Sequence, residues 1–387
     1  MLHKEVQQFI NDHLKSDIAR LVLKGSPFKD ISIQEIAEQI LAKSKSRNKL
    51  PTWFLTDNIY YPKPLSIEQT SSELTAQYKS SLISGESLID LTGGFGVDSY
   101  FFSTKFKKVT HCELDPELSK IASHNYALIG GNNITCLNKS GIEELTENPT
   151  VYDWIYIDPS RRNELKSKVF RMEDCLPDVG QHLPLLLKRS ENLMIKLSPL
   201  LDISLTIKSL SFVKEIHVVA VKNEVKELLI LIQKNYQGPS ELKTINIHLD
   251  TKQVFKGYFP SQATARYSAP KKYLYEPNTA LLKSGMFNEV SSQLNVDKLN
   301  INSHLYTSDT LIDFPGRRFV IQTISKYNRK LLKKKFNFKS ANITTRNFHE
   351  SVAQIRKKTG FKEGGNEFLF FTTDLEDNAL VIHCRKV

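Results

Sequence analysis

Acidic residues and glycines stand where short apolar runs of the sequence end, and together they could bind a cofactor. The run SLIDLT contains Asp90 and leads into three glycines, Gly93, Gly94 and Gly96. A strand that passes through a glycine turn into a helix brings bare backbone N–H groups up to a ligand. The glycines could instead form only a tight turn, but their place beside Asp90 favours a cofactor loop.

A second acid, Glu113, ends the next apolar run, KVTHCEL. A carboxylate there can accept hydrogen bonds from both hydroxyls of a cofactor ribose, in nicotinamide and adenosylmethionine folds alike. The loop GGFGVD lacks the third glycine of the dinucleotide pattern, and a glycine pattern alone is weak evidence. These residues predict a nucleoside cofactor and leave the two cofactor classes open.

Asp158 and Pro159 follow the fourth strand-like run, WIYID. An acceptor held by a rigid proline turn could bind the hydrogens of a base amine and direct its lone pair toward a methyl donor. Catalysis would then depend on positioning and electrostatics, because the leaving group is already activated. Asp158 as a helix cap is the competing interpretation. Arg161 and Arg162 could equally hold a substrate phosphate or pair with nearby acids.

The elements that must position these residues lie in residues 85–236, where short apolar runs alternate with helical patterns. That alternation is typical of a parallel α/β sheet. The last two runs, EIHVVAV and LLILI, are separated by a short polar turn and predict an antiparallel hairpin. Class I methyltransferase sheets end in this way, whereas dinucleotide Rossmann sheets are parallel throughout. The hairpin therefore favours adenosylmethionine over a nicotinamide cofactor.

Three further regions flank this domain in the chain. Residues 1–84 place apolar residues at three- and four-residue steps, which predicts helices, and Ser32 with Glu35 predicts a capping box. Residues 237–312 form a smaller α+β segment with strands near TINIHL and QVFKGYF. Residues 313–387 are predicted to form a compact α/β module that ends in a hairpin.

The positive charge of the 387-residue chain is concentrated at its C-terminal end. Residues 315–387 contain 16 Lys and Arg against 6 Asp and Glu, which accounts for nearly all of the net charge of +11. Lysine-rich helix faces are usually only solvated. Here Lys330, Lys333 and Lys334 recur at helical steps with leucines left to pack inward, within a generally basic module. This pattern favours contact with RNA.

Other features limit the class of protein. No apolar stretch approaches the roughly 18 residues of a membrane span, and the first residues have no signal-peptide core, so a cytoplasmic location is expected. The four cysteines are scattered, and none lies at ligand spacing from another cysteine or a histidine. Neither a disulfide framework nor a metal site is expected.

Several motifs jointly resemble one protein family. They are SIEQTSSELTAQYK (66–79), DLTGGFGVDS (90–99), DPSRR (158–162), DCLPDV (174–179), IKLSPLLDI (195–203) and YLYEPNTALLKSG (273–285). Together they resemble the bacterial class I S-adenosyl-L-methionine-dependent methyltransferases with a C-terminal THUMP-like domain, from about residue 50 onward. The resemblance implies a helical N-terminal region (1–84), a Rossmann-like methyltransferase domain (85–236), a ferredoxin-like domain (237–312) and a THUMP-like RNA-binding domain (313–387). It also implies structured RNA, such as tRNA or rRNA, as the partner.

The resemblance also implies roles for individual residues. Cofactor contacts are expected from Asp90, Thr92, Gly93, Gly94, Gly96, Asp98 and Glu113, and from Glu68, Gln69 and Ser71 before the first strand. Asp158 and Pro159 would stand at the point of methyl transfer, and Arg161, Arg162, Lys330, Lys333 and Lys334 would bind substrate. The sequence departs from the family pattern twice. DPSRR lacks a second proline and an aromatic residue, and Lys139 and Ser140 stand where many relatives have an acid near the adenine.

The sequence therefore predicts an S-adenosyl-L-methionine-dependent methyltransferase that modifies an RNA base, with an exocyclic nitrogen favoured. One alternative is a methyltransferase of a protein or small molecule, in which the basic module serves another acidic partner. A second alternative, motivated by the incomplete DPSRR motif, is a non-catalytic RNA-binding protein on a methyltransferase scaffold. The sequence does not indicate the oligomeric state.

Overall fold

The computed structural model describes residues 1–161, 172–328, 332 and 335–387, with only the backbone of Arg161. The described chain divides into two compact units. The first unit contains residues 1–214 and 228–238, and the second contains residues 215–227 and 239–387.

Helices form the N-terminal part of the first unit and also connect its strands. In chain order they are α1 (Lys4–Asp12), α2 (Ile18–Lys24), α3 (Ile33–Lys49), α4 (Pro51–Leu55), α5 (Pro64–Gln69), α6 (Glu73–Ser80), α7 (Val97–Ser103), α8 (Pro116–Ile129), α9 (Gly141–Glu147), α10 (Val179–Arg189) and α11 (Ile203–Ser209). The predicted capping box starts α3: Ser32 Oγ accepts from the Glu35 N–H, and the Glu35 carboxylate accepts from the Ser32 N–H. Two otherwise unpaired backbone donors are thereby satisfied.

The first sheet contains most of the strands up to residue 259. The strands are β1 (Gly85–Asp90), β2 (Phe106–Cys112), β3 (Ile134–Leu137), β4 (Tyr152–Ile157), β5 (Ser160–Arg161), β6 (Cys175–Leu176), β7 (Ser190–Leu197), β8 (Val213–Val221), β9 (Glu224–Gln233), β10 (Ser240–Ile247) and β11 (Lys252–Phe259). The sheet has the order β11-β10-β8-β9-β7-β4-β1-β2-β3, and β5 and β6 form a separate two-stranded sheet.

Strands β3, β2, β1, β4 and β7 run parallel, and β9 is antiparallel to β7. The carboxyl-terminal halves of β1 and β4 are continuously buried, as expected when helices cover both faces of a parallel sheet. The predicted α/β fold, with parallel strands followed by an antiparallel hairpin, is confirmed.

The turn between β8 and β9 shows why the chain reverses there. Lys222 and Asn223, its two central residues, have φ angles of 51° and 64°. Two consecutive residues in the left-handed region form the type I′ turn, whose twist suits a two-residue hairpin. The polar turn between two apolar runs was therefore a correct signal for a tight hairpin.

The first sheet extends beyond the domain boundary predicted at residue 236. Strand β10 pairs parallel with β8, and β11 pairs antiparallel with β10, so the runs TINIHL and QVFKGYF lie in the first sheet. The sequence analysis assigned both runs to the ferredoxin-like segment. Local alternation of apolar residues identified the strands, but their choice of partner depends on the whole sheet.

The second sheet lies entirely within the second unit. Its strands are β12 (Tyr273–Pro277), β13 (Asp297–Lys298), β14 (Tyr306–Ser308), β15 (Gly316–Lys326), β16 (Asn342–Thr345), β17 (Glu367–Thr373) and β18 (Ala379–Lys386), and its helices are α12 (Thr279–Ser284), α13 (Phe287–Leu294) and α14 (Val352–Thr359). The order is β13-β14-β12-β15-β18-β17-β16. Because β12 pairs antiparallel with β15, the sheet continues across the boundary predicted near residue 312. Strands β17 and β18 form the expected C-terminal hairpin.

Candidate active site

A cleft of about 590 Å³ opens in the first unit at the carboxyl ends of β1, β2 and β4. This is the edge at which open α/β sheets bind ligands. The predicted residues that line the cleft are Gln69, Ser71, Asp90, Thr92, Gly93, Gly94, Asp98, Glu113 and Asp158. Residues far apart in the sequence therefore meet in one site.

Asp90 forms the floor of the cleft, at the end of β1. Its carboxylate is buried and accepts hydrogen bonds from Ser99 Oγ at 2.6 Å and from the Thr92 N–H at 3.0 Å. Burial raises the pKa of Asp90 to about 7, opposed by these hydrogen bonds and assisted by the charges of Asp98 and Asp158. The ionised form is therefore costly unless a cation approaches.

The glycine loop lies so close to neighbouring rings that side chains would not fit. A Cβ atom on Gly93 would lie 2.2 Å from the His111 ring, and one on Gly96 would lie 2.0 Å from the Tyr126 hydroxyl. Gly96 also has a φ of +88°, which L-residues with side chains rarely adopt. These two glycines are required by close approach as well as by the turn.

Glu113, which follows the neighbouring strand β2, forms hydrogen bonds that hold the glycine loop. Its Oε2 accepts a hydrogen bond from the Gly94 N–H, and its Oε1 accepts one from the Asp115 N–H, both at 2.8 Å. Each carboxylate oxygen can accept a further bond. Glu113 can thus orient the loop and still receive ligand hydroxyls.

Asp98 lies in a buried polar network under the cleft. It accepts hydrogen bonds from Ser71 Oγ at 2.8 Å and Tyr156 Oη at 2.7 Å, and it lies 3.1 Å from the ammonium of Lys79. Burial alone would raise the pKa of Asp98, but Lys79, Lys196 and these hydrogen bonds outweigh burial and lower it. The contacts of Asp98 and Ser71 are therefore largely internal, and they join the segment before β1 to α7.

Glu68 differs from its neighbours Gln69 and Ser71. Its carboxylate forms an ion pair with Lys45, its side chain is 55% exposed, and it is absent from the described lining of the cleft. The hydrogen bond from Lys45, followed by that lysine's charge, lowers the pKa of Glu68. In this structure Glu68 therefore makes a surface ion pair.

Asp158 is fixed at both its backbone and its side chain. Its N–H donates to Thr92 Oγ1 at 2.7 Å, which connects the end of β4 to the glycine loop. Its carboxylate forms an ion pair with Lys196 of β7. The sequence analysis missed Lys196, although a lysine near the end of the apolar run NLMIKL was a usable signal.

The residues after Asp158 form one lip of the cleft. Pro159 leads into β5, where Ser160 pairs with Leu176 of β6. Leu176 is 49% exposed, and together with Pro177 and Ser160 it lines the cleft. These apolar groups lie near the position where DPSRR lacks the aromatic residue of related motifs.

The cleft also contains residues that were not identified from the sequence. Leu114, which is 71% exposed, and Ile142 line it. A Cβ atom on Gly141 would lie 2.5 Å from the Leu91 Cα, so this glycine allows α9 to approach β1. Lys139, noted for replacing an acid, pairs instead with Glu144 at 3.2 Å and Glu147 at 2.6 Å.

The basic module of the second unit is less available for ligands than its charge suggests. The buried carboxylate of Glu276, within the motif YLYEPNTALLKSG, pairs with both Arg317 and Arg346. Arg356 donates to the backbone carbonyls of Phe361 and Ala341. These arginines therefore hold the second unit together.

The remaining predicted substrate residues lie outside the described part of the chain. They are Arg162, Lys330, Lys333 and Lys334, together with the side chain of Arg161. Among the described residues, no group of three or more His, Cys, Asp and Glu side chains could hold a metal ion. None of the helices described is long and apolar enough to cross a membrane.

The strand order, the reversed strand β9 and the cleft at the carboxyl ends of the parallel strands define a class I methyltransferase fold. A crystal structure described as a "putative methyltransferase from Porphyromonas gingivalis W83" is 33% identical, with 100% of both chains covered and a TM-score of 0.88. Family models for a ferredoxin-like domain and a THUMP domain-like region match residues 273–315 and 316–386. The chain therefore belongs to this methyltransferase family with ferredoxin-like and THUMP-like domains.

More distant solved structures match only part of the chain. An rRNA methylase from Streptococcus thermophilus is 13% identical, with 42% of this chain and 95% of that chain covered and a TM-score of 0.32. TrmK from M. capricolum, solved with S-adenosyl-homocysteine, is 16% identical, with 42% and 68% covered and a TM-score of 0.32. No curated protein matches the sequence.

Proposed function

We propose that this protein transfers a methyl group from S-adenosyl-L-methionine to RNA, at an exocyclic nitrogen of a base. The observation that carries the proposal is that Asp158 shares one cleft with Asp90, the glycine loop and Glu113. An acceptor for amine hydrogens thus lies beside groups suited to a charged nucleoside.

The residues of the cleft fit this cofactor. Its volume of about 590 Å³ lies within the common range of small-molecule sites. Asp90 would gain a cationic partner in the methionine ammonium, and Glu113 would accept the ribose hydroxyls. Leu114 and Ile142 would flank the adenine ring. The bound cofactor would supply an electrophilic methyl group.

The chain's own contribution to the reaction would be orientation and electrostatics. Asp158 would accept a hydrogen bond from the base amine and so make the nitrogen lone pair available. Thr92 would hold the backbone of Asp158 against the cofactor loop through its 2.7 Å hydrogen bond. Leu176 and Pro177 would offer an apolar surface to the base, in the role that an aromatic residue has in related motifs.

RNA as the acceptor is supported by the second unit. Residues 316–386 match the THUMP domain-like model, and the end of the chain is strongly basic. Since several arginines there are internally paired, the lysines, including Lys330, Lys333 and Lys334, would provide most of the phosphate contacts. A cytoplasmic location agrees with this substrate and remains a prediction.

The test combines cofactor binding with methyl transfer. Calorimetry should detect S-adenosyl-homocysteine binding, and Glu113→Gln should weaken it by roughly 10- to 100-fold, the range expected when a charged hydrogen bond is removed. The purified protein should then transfer label from S-adenosyl-L-methionine into total RNA taken from cells that lack this protein. Digestion of that RNA to nucleosides would identify the methylated atom. Label in protein or small molecules instead would contradict the RNA assignment. Absence of cofactor binding would contradict the enzyme assignment.

A further inference from the structure

The ion pair between Asp158 and Lys196 has no role in the reaction proposed above. Lys196 lies on β7, next to β4, and Ile195 is the register partner of Ile157. The residues that follow this register pair, Lys196 and Asp158, therefore emerge side by side from two parallel strands. Their contact results from the sheet itself and does not depend on a loop.

The two partners differ in their access to the cleft. The side chain of Asp158 is 35% exposed and lines the cleft, whereas that of Lys196 is 13% exposed and is absent from the described lining. Lys196 Nζ contacts Asp158 Oδ2. The lysine thus lies behind the carboxylate, and Oδ1 is the oxygen that this contact does not use.

The surroundings of Lys196 are acidic. Its charge also contributes to lowering the pKa of Asp98, after the larger contribution of Lys79. Without Lys196, Asp98 would keep Lys79, which lies at 3.1 Å. Asp158, in contrast, would lose the cation that its carboxylate contacts.

This inference rests on the proposed function: we propose that Lys196 is the positioning residue of the reaction, which holds the Asp158 carboxylate aimed at the acceptor amine. Lys196 engages Oδ2 and the Thr92 hydroxyl holds the backbone N–H, so the direction of Oδ1 is fixed from two sides. Replacing a residue that hydrogen-bonds to a functional group and orients it commonly lowers activity by about 10- to 100-fold. Lys196 acts through Asp158 and does not itself contact the substrate.

Lys196→Met tests the role of the charge, because methionine preserves most of the apolar stem. We expect kcat for methyl transfer into RNA to fall roughly 10- to 100-fold, with little change in the KM for RNA or in S-adenosyl-homocysteine affinity. Lys196→Arg should recover most of kcat. Lys107→Met is the matched control, because it breaks an exposed ion pair with Glu86 on the same sheet and should change none of these quantities.

The conformation of Asp158 can be measured by crystallography whether or not RNA is the substrate. In crystals of the S-adenosyl-homocysteine complexes, Asp158 should have one side-chain conformation in the wild type and a displaced or multiple conformation in Lys196→Met. An unchanged Asp158 in that variant would overturn the inference, whether or not the protein methylates RNA. A folded Lys196→Met with wild-type kcat would overturn it too. A wild type that binds S-adenosyl-homocysteine but labels no RNA would contradict only the proposed function.

Discussion

Sequence patterns predicted the residues of the cleft in the first unit better than they predicted the contacts of the basic module in the second unit. In the cleft, Asp90, Glu113 and Asp158 come from three strands and meet in one site. In the basic module, Arg317 and Arg346 contribute to a high positive charge but pair with the buried Glu276. Spacing relative to predicted strands therefore identified residues that share one cleft, whereas the count of charges did not show that some of these arginines pair internally.

The difference has a physical cause. Parallel strands end at one edge of their sheet, so residues at strand ends converge whatever the details of the helices. A basic residue elsewhere on a strand or helix has no such constraint. It can face solvent, a ligand or an internal counter-ion.

The largest effect is expected in the cleft, at Asp158. Asp158→Asn keeps the size of the side chain but provides a weaker acceptor that Lys196 no longer pairs with. We expect kcat for RNA methylation to fall about 10³-fold, within the usual range for such groups. Calorimetry should show S-adenosyl-homocysteine affinity within a few-fold of wild type. Full activity in the variant would favour the non-catalytic interpretation.

The next effect is expected in the second unit, at Glu276. Glu276→Gln would leave two arginines without their buried carboxylate, and we expect a loss of about 3 kcal/mol in the free energy of unfolding. Denaturant titration would measure the loss. Glu224→Gln, which breaks an exposed pair with Lys226, is the control and should cost less than about 1 kcal/mol. Equal values for both variants would argue against a structural role for Glu276.

Gly93→Ala tests the packing behind the cofactor loop. The new methyl group would overlap the His111 ring, and we expect a loss of about 1–3 kcal/mol in the free energy of unfolding. His111→Ala in the same chain should reduce that cost, so a double-mutant cycle would show coupling. Gly94→Ala is the comparison: it faces no atom closer than 3.9 Å and suffers only the strain of its φ of +58°. Additive effects of Gly93→Ala and His111→Ala would contradict the packing argument.

Asp90 should make stability depend on pH. Its folded pKa of about 7 lies above its ordinary value of 3.8, so between these values the folded state binds a proton that the unfolded state has released. Stability from this group is therefore present below about pH 4 and is lost as pH rises toward 7, by at most about 1.4 kcal/mol per unit. Unfolding of wild type and Asp90→Asn across this range would measure it. Parallel curves for the two proteins would contradict the elevated pKa.

The smallest effect is expected in RNA binding. Replacing Lys330, Lys333 and Lys334 with glutamine should reduce the slope of log affinity against log salt by roughly one unit for each RNA phosphate that the variant no longer neutralises. Lys358→Gln is the matched control, because Lys358 pairs with Glu350 at 2.8 Å. Filter binding at several salt concentrations would measure both. If Lys358→Gln changed the slope as much as the triple variant, the result would contradict a specific role of Lys330, Lys333 and Lys334 in RNA binding.

Prediction from the sequence succeeded best where the signal was local. The strand, glycine turn and helix from Gly85 to Ser103, the capping box at Ser32 and the β8–β9 hairpin all follow from short patterns. The same patterns gave the identity of β10 and β11 as strands but did not show that they extend the first sheet through β8. Leu114, Gly141 and Ile142 were missed, since nothing in their local sequence distinguishes a cleft wall from an ordinary loop.

Short sequence patterns were enough to predict the main strands and helices and the acidic residues at the strand ends, because backbone preferences and apolar periodicity act over a few residues. The partners of those residues became visible in the folded chain. Lys196 meets Asp158 across 38 positions, and Arg346 meets Glu276 across 70. Such pairs depend on strand order and register, which are set by burial of the whole sheet. For that reason Arg317 and Arg346 pair with the buried Glu276 in the second unit, and Lys196 pairs with Asp158 in the first.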